Sequence, residues 1–149
     1  MGKNNVLALD IASRTGWCTS IAHGVWDLRP KRDESKGMRL IRLNQKLREI
    51  ISSMQINFVV FEMAAGLHHS SIATESEMIG VVKLFCEQNG ITYRSYTPTE
   101  VKKFATGKGN ASKDLMILSA KDKLGYDGFS NDEADAMWLY KMAEEYIEL

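Results

Sequence analysis

Two short apolar runs in this chain each end in a carboxylate, and that pairing constrains the fold more than any other feature. Phe58-Val59-Val60-Phe61 runs straight into Glu62, and Val6-Leu7-Ala8-Leu9 runs into Asp10. Continuous β-prone runs of this kind read as strands buried on both faces. A buried carboxylate is costly unless it is paired or bound to a cation. A chain that ends two such strands in acids is therefore expected to bring the acids together, at neighbouring strand ends in the centre of one sheet.

The rest of the pattern supplies that sheet. After Val6–Ile11 a turn follows around Ser13 to Gly16. Residues 17–22 and 25–28 read as two further strands, with His23-Gly24 as the tight connection. From Asp33 to Met54 the period changes: Leu40, Leu43, Leu47, Ile50 and Met54 recur at three- and four-residue steps and predict a helix. Asn57–Glu62 is the next strand, and Met63–His69 reads as a loop. Ser71–Asn89 is a second helix, apolar around much of its girth, which Gly90 stops. Such a helix lies deep in a core or is shared with a partner subunit. Ile91–Tyr96 is a strand. Thr97-Pro98-Thr99-Glu100 opens a short helix with cap, proline and returning glutamate in the expected places. Gly107–Asn110 reads as a flexible loop, Ser112–Leu124 as a helix, and Ser130–Glu133 as a second capping box starting the helix to Ile147. Three leading strands suit an antiparallel meander, and the strand–helix–strand crossovers that follow suit parallel pairing. The expectation is a single α/β domain over residues 1–149, a mixed five-stranded sheet flanked by helices on both faces.

Composition narrows the function. The net charge is zero, yet residues 29–48 hold eight basic and two acidic residues, and residues 101–123 hold six lysines and two aspartates. The stretch from Asp127 onward holds seven acids and one lysine. A basic surface can thus coexist with an acidic end, although the first run also fits the solvated face of a helix. No apolar run is long enough to span a membrane. Residues 1–5 resemble no secretion signal, and the two cysteines, Cys18 and Cys86, fit no metal or redox spacing. A reduced, cytoplasmic protein is expected.

Asp132 and Asp135 lie three apart at the start of the last predicted helix and share a face with Leu139, Met142 and Tyr146. That face reads as the buried stripe, so both aspartates should point at the sheet. Four acids aimed at one place repel, and either some are protonated or cations sit between them. Hard divalent ions such as Mg²⁺ prefer oxygen ligands, and a pair about 4 Å apart can stabilise both attacking and leaving oxygens in phosphoryl transfer. Taken singly, Asp10 could instead bond to the following turn, and Asp132 could simply favour the positive end of a helix.

In this order the residues resemble the RuvC-type Holliday junction resolvases, within the RNase H-like nuclease fold. The resemblance rests on Leu7-Ala8-Leu9-Asp10 with Thr15-Gly16-Trp17, on Phe61-Glu62, on Pro98–Lys103 through Thr106–Gly109 to Lys113, and on Ala134-Asp135-Ala136. The chain is compact beside bacterial members and looks more like a phage-encoded relative, acting in the host cytoplasm. The resemblance implies Mg²⁺- or Mn²⁺-dependent paired cleavage of four-way and other branched DNA junctions by a homodimer. It implies two ions per active site, held by Asp10, Glu62, Asp132 and Asp135. Lys102 and Lys113 match positions where the family has basic residues near the scissile phosphate or the DNA backbone. The apolar helix 71–89 would lie at or near the dimer interface. Lys103 and Lys108 read as further backbone contacts. Two departures stand out: Ala12 replaces a common glycine, and no aromatic residue follows Glu62 closely. Leu67, His68 or His69 is the candidate to press against bases there. The rival readings are an RNase H-like nuclease acting on RNA or flaps, a single lobe of the actin and sugar-kinase type, and a non-catalytic junction-binding protein.

Overall fold

The computed structural model describes residues 3–64 and 69–147. Its elements run β1 (Val6–Asp10), β2 (Arg14–Cys18), β3 (His23–Asp27), α1 (Met38–Met54), β4 (Phe58–Glu62), α2 (His69–Gln88), β5 (Thr92–Tyr96), α3 (Pro98–Thr106), α4 (Lys113–Leu124) and α5 (Asn131–Tyr146). The order of strands and helices is the predicted one. The sheet is arranged β3-β2-β1-β4-β5, antiparallel from β3 to β1 and parallel from β1 through β4 to β5.

Alternation along the central strands divides the core in two. Val6, Ala8, Phe58 and Val60 face α3, α4 and α5, where Val101, Met116, Trp138 and Leu139 complete the packing. Leu7, Leu9, Val59 and Phe61 face α1 and α2, against Leu43, Leu47, Met78 and Val82. Fully burying one such side chain is worth about 1.5–3 kcal/mol. The parity has a consequence at the strand ends: Asp10 follows Val6 and Ala8, and Glu62 follows Phe58 and Val60, so both carboxylates belong to the α5 side of the sheet.

Several boundaries differ from expectation. The hairpin connection is not His23-Gly24. Thr19 makes the turn: its backbone N–H donates to the Ala22 carbonyl at 2.8 Å and its hydroxyl accepts from the Ala22 N–H at 3.2 Å. His23 and Gly24 are strand residues paired with Cys18 and Trp17, and a Cβ on Gly24 would meet the Trp17 ring at 3.0 Å. Helix α1 begins at Met38 rather than Asp33, because Glu34 is taken by Arg42 in a two-pronged ion pair at 2.6 and 2.7 Å. Helix α2 starts at His69 rather than Ser71. Trp26 and Trp138 are core residues, while Trp17 is half-buried and stacks on Trp26. Among the described residues no helix is long and apolar enough to cross a membrane.

Candidate active site

The parallel register of β1 and β4 sets Leu9 opposite Phe61, so the next residues, Asp10 and Glu62, end adjacent strands side by side. Helix α5 brings the third acid. Ser130 caps it, its hydroxyl accepting from the Glu133 N–H at 3.2 Å. The reciprocal half of a capping box is absent. The Tyr126 hydroxyl accepts the Ser130 N–H at 2.8 Å and donates to Glu133 Oε1 at 2.9 Å. Glu133 is thereby held away from the site, with His23 Nδ1 2.6 Å from its other oxygen. The first turn of α5 lies directly on β2 at Gly16, where a Cβ would stand 1.9 Å from the Asp132 carbonyl oxygen. Only glycine permits that approach. The buried face of α5 continues through Leu139 and Met142, but Tyr146 is 60% exposed and falls outside it.

Oxygens of Asp10, Glu62 and Asp135 all lie within 4.8 Å of one another. With a proton on Asp10, its carboxyl also hydrogen-bonds Asp132 and Asp135. Burial, then the charges of Glu62, Asp135 and Asp132, hold the Asp10 carboxyl well above its ordinary range. Burial and the Asp135 charge push Glu62 up to about 8, with Lys102 opposing. Burial and Asp132 push Asp135 up to about 7, opposed by Asp10, Lys102 and Lys113. Burial raises Asp132 too, against the pull of Lys113 and Arg14. A set of close, half-buried carboxylates that ionise only at a cost is what a bound cation relieves. All its donors are oxygens, which suits a hard divalent ion.

The acids lie in a cleft of about 170 Å³ whose lining includes Lys102, Lys113, Glu75 and Asn131. The sequence pattern singles out the two lysines but not Glu75 or Asn131. Glu75 comes from α2, and burial and the Asp132 charge raise its carboxyl. Asn131 donates weakly to Asp135 at 3.5 Å. Asn131 stands directly before Asp132 and was legible as a neighbour; Glu75 carries no local signal, since only the docking of α2 turns it to the cleft. Lys103 is exposed on another side of α3, beside a groove with Glu100, Phe104, Met142 and Tyr146. Lys108 is exposed in the α3–α4 loop. Leu67 and His68 lie outside the described residues, as does the side chain of His69.

A family model described as "Crossover junction endodeoxyribonuclease RuvC" matches residues 9–139. The chain belongs to the RuvC family. A RuvC of Caldicellulosiruptor saccharolyticus is 37% identical over 105 residues, covering 68% of this chain and 63% of the relative. One of Anaeromyxobacter sp. is 32% identical over 120 residues, covering 80% of this chain and 57% of the relative. The matched stretch thus spans about three fifths of these RuvC proteins. In structure, the chain is similar to T. thermophilus RuvC solved with a Holliday junction substrate, with TM-score 0.72 at 18% identity over 91% of this chain and 90% of that one. It is more distantly similar to the yeast mitochondrial Holliday junction resolvase Ydc2, with TM-score 0.56 at 13% identity over 92% and 76% of the two chains. The RuvC fold and the mixed five-stranded α/β sheet are thereby shown, and the acidic cluster falls within the matched residues.

Proposed function

We propose that this chain is a metal-dependent endodeoxyribonuclease that resolves four-way and other branched DNA junctions by paired, symmetric nicks. The observation that carries the reading is the convergence of Asp10, Glu62 and Asp135 oxygens within 4.8 Å, in a cleft that also holds Lys102 and Lys113. Asp10, Glu62, Asp132 and Asp135 are the candidate ligands of two Mg²⁺ or Mn²⁺ ions. When bound, such ions supply Lewis-acid charge to both oxygens exchanged in in-line phosphodiester hydrolysis.

The chain's own residues do the rest. Asp10 and Glu62, fixed on the two central strands, and Asp135, fixed on a capped helix, give a rigid frame for the reacting phosphate. Lys102 faces Glu62 and Asp135, and Lys113 faces Asp132 and Asp135, so each offers charge to a phosphate seated over the acids. Lys103 and Lys108 offer sequence-independent backbone contacts farther out. Leu67, His68 and His69 are the candidates to press against bases at the crossover. Residues 1–149 act as one nuclease domain. Two copies pair to set two sites against two opposed strands, through α2, whose Leu84 is 58% exposed. The reading includes a cytoplasmic location, that of the host if the chain is phage-encoded.

The test incubates the purified chain with a labelled four-way junction, the matching duplex and a flap, with Mg²⁺ or Mn²⁺, beside Glu62→Gln. Paired symmetric nicks in the junction alone, abolished by the substitution, are expected. Equal cutting of duplex or flap would sink the junction claim and leave the cation site standing. Tight junction binding by both proteins without cutting would mean a non-catalytic binder.

A further inference from the structure

The basic run between β3 and α1 has no role in the chemistry above, yet the topology carries it to the same end of the sheet. Strands β1 and β3 both run antiparallel to β2, so Asp27 at the end of β3 lies on the same edge as Asp10 at the end of β1. The edge is stitched together where the Leu28 N–H donates to the Ser13 carbonyl at 2.8 Å. Two strand spacings separate β3 from β1, about 10 Å.

Three concavities line up along this edge. The acidic cleft comes first. A shallow groove follows, formed by Ala12, Ser13, Ser71, Thr74 and Glu75, and Glu75 belongs to both. Beyond the Ser13–Leu28 bond lies a groove bounded by Asp27, Arg29, Pro30, Lys31 and Arg42. Arg14 spans the interval: its charge acts on Asp132 at one end and on Asp27, its partner across the strands, at the other.

The basic segment is held in shape. Arg29 pairs with Asp27 at 2.6 Å and Arg42 with Glu34 at 2.6 Å, and the Lys31 N–H donates to Glu34 at 2.6 Å. Asp27 and Glu34 are thus taken, which leaves Asp33 alone against the charges of Lys31, Arg32 and Lys36. Arg32 and Lys36 are exposed and make no ion pair among the described residues, and Lys31 is exposed beside them. Cations in excess, on a segment held in shape along the same sheet edge as the acidic cleft, fit a second stretch of DNA backbone. The small residues between, Ala12 and Ser13, let a backbone pass close, and the Ser71–Thr74 side is polar.

We propose that Lys31, Arg32 and Lys36, with Arg14 as the bridge, form a second DNA-backbone contact that holds the junction arm leaving the catalytic cleft across the Ala12–Ser13 turn. The proposal rests on the nuclease reading above. Its test is binding, with Ca²⁺ replacing the ions that support cleavage. The full chain and a K31Q/R32Q/K36Q variant are titrated against a fluorescent four-way junction between about 50 and 200 mM salt. Removing one cation that neutralises a phosphate flattens the log Kd against log salt slope by about 0.9. The variant's slope is expected to be flatter by about 2–3, its binding at the lower salt at least about tenfold weaker, and its melting transition that of the wild type. An unchanged slope and affinity would overturn the proposal while the nuclease reading stood. A variant that loses affinity for heparin while its junction affinity and salt slope stay those of the wild type would also overturn it, as a surface for other polyanions. A wild-type chain that binds no junction at all would remove the nuclease reading, and this inference with it.

Discussion

Gly16 of β2 lies directly beneath Asp132 of α5, so close that a Cβ would stand 1.9 Å from the Asp132 carbonyl oxygen and 2.8 Å from the Glu133 nitrogen. The obstacle is backbone, which cannot rotate aside. Gly16→Ala must therefore lift or tilt the first turn of α5, the turn that presents the acids. A destabilisation of about 1–3 kcal/mol is expected, or roughly 2–12 °C in Tm, together with weaker divalent-cation binding by calorimetry. A variant that melts and binds cations like the wild type would show that α5 is not seated by this contact.

The acid cluster should make the metal-free protein lose stability as pH rises. Glu62 is pushed up to about 8 and Asp135 up to about 7, while in the unfolded chain both ionise near their ordinary values of 4.5 and 3.8. Both folded values are raised, so folding binds protons between the two sets. Stability is fullest below the unfolded values and falls as pH climbs through the folded ones. Without divalent cation, Tm is expected to drop by at least roughly 5 °C between about pH 5 and pH 8, and Mg²⁺ should restore it. Glu62→Gln should flatten the profile and raise the metal-free Tm at the alkaline end. A profile that rises with pH would contradict the burial and repulsion inferred for these groups.

Much of this site was legible because a carboxylate at the end of a buried apolar run is costly unless it is paired or bound to a cation. Asp10 and Glu62 announce themselves by what precedes them, and Asp132 and Asp135 by their spacing on a helix whose start was marked by Ser130. What stayed hidden depends on docking. Glu75 reaches the cleft only because α2 packs its Met78–Val82 face on the sheet. His23-Gly24 has turn chemistry in the sequence, whereas in the structure Gly24 makes room for the Trp17 ring. The start of α1 is hidden in the sequence because Glu34, a good helix residue, is held by Arg42 outside the helix.

Neither thiol should react in the native state. Burial, then the charges of Glu144 and Glu133, push the Cys18 thiol up to about 12, and burial and Glu87 push Cys86 up to about 11. Near pH 8 the thiolate fraction is then far below that of a free cysteine, whose pKa is about 8.5. Iodoacetamide labelling of the folded protein is expected to be at least about 100-fold slower than in denaturant. Comparable rates would mean that these segments open locally.

Lys102 should oppose cation binding and assist DNA binding, and one substitution separates the two. Lys102 lines the cleft with Glu62 and Asp135 and its charge lowers the proton affinity of both, so it also competes electrostatically with a cation held by them. Lys102→Met keeps much of the apolar stem and removes the charge. The metal-free variant is expected to bind Mg²⁺ about two- to fivefold more tightly by calorimetry, a gain of ~0.5–1 kcal/mol. The same variant should bind a four-way junction more weakly, with a salt slope flatter by about 0.9, because one phosphate no longer has a cation beside it. Opposite signs would establish Lys102 as a charge aimed at phosphate. A fall in both affinities together would instead mean that its side chain holds the shape of the cleft.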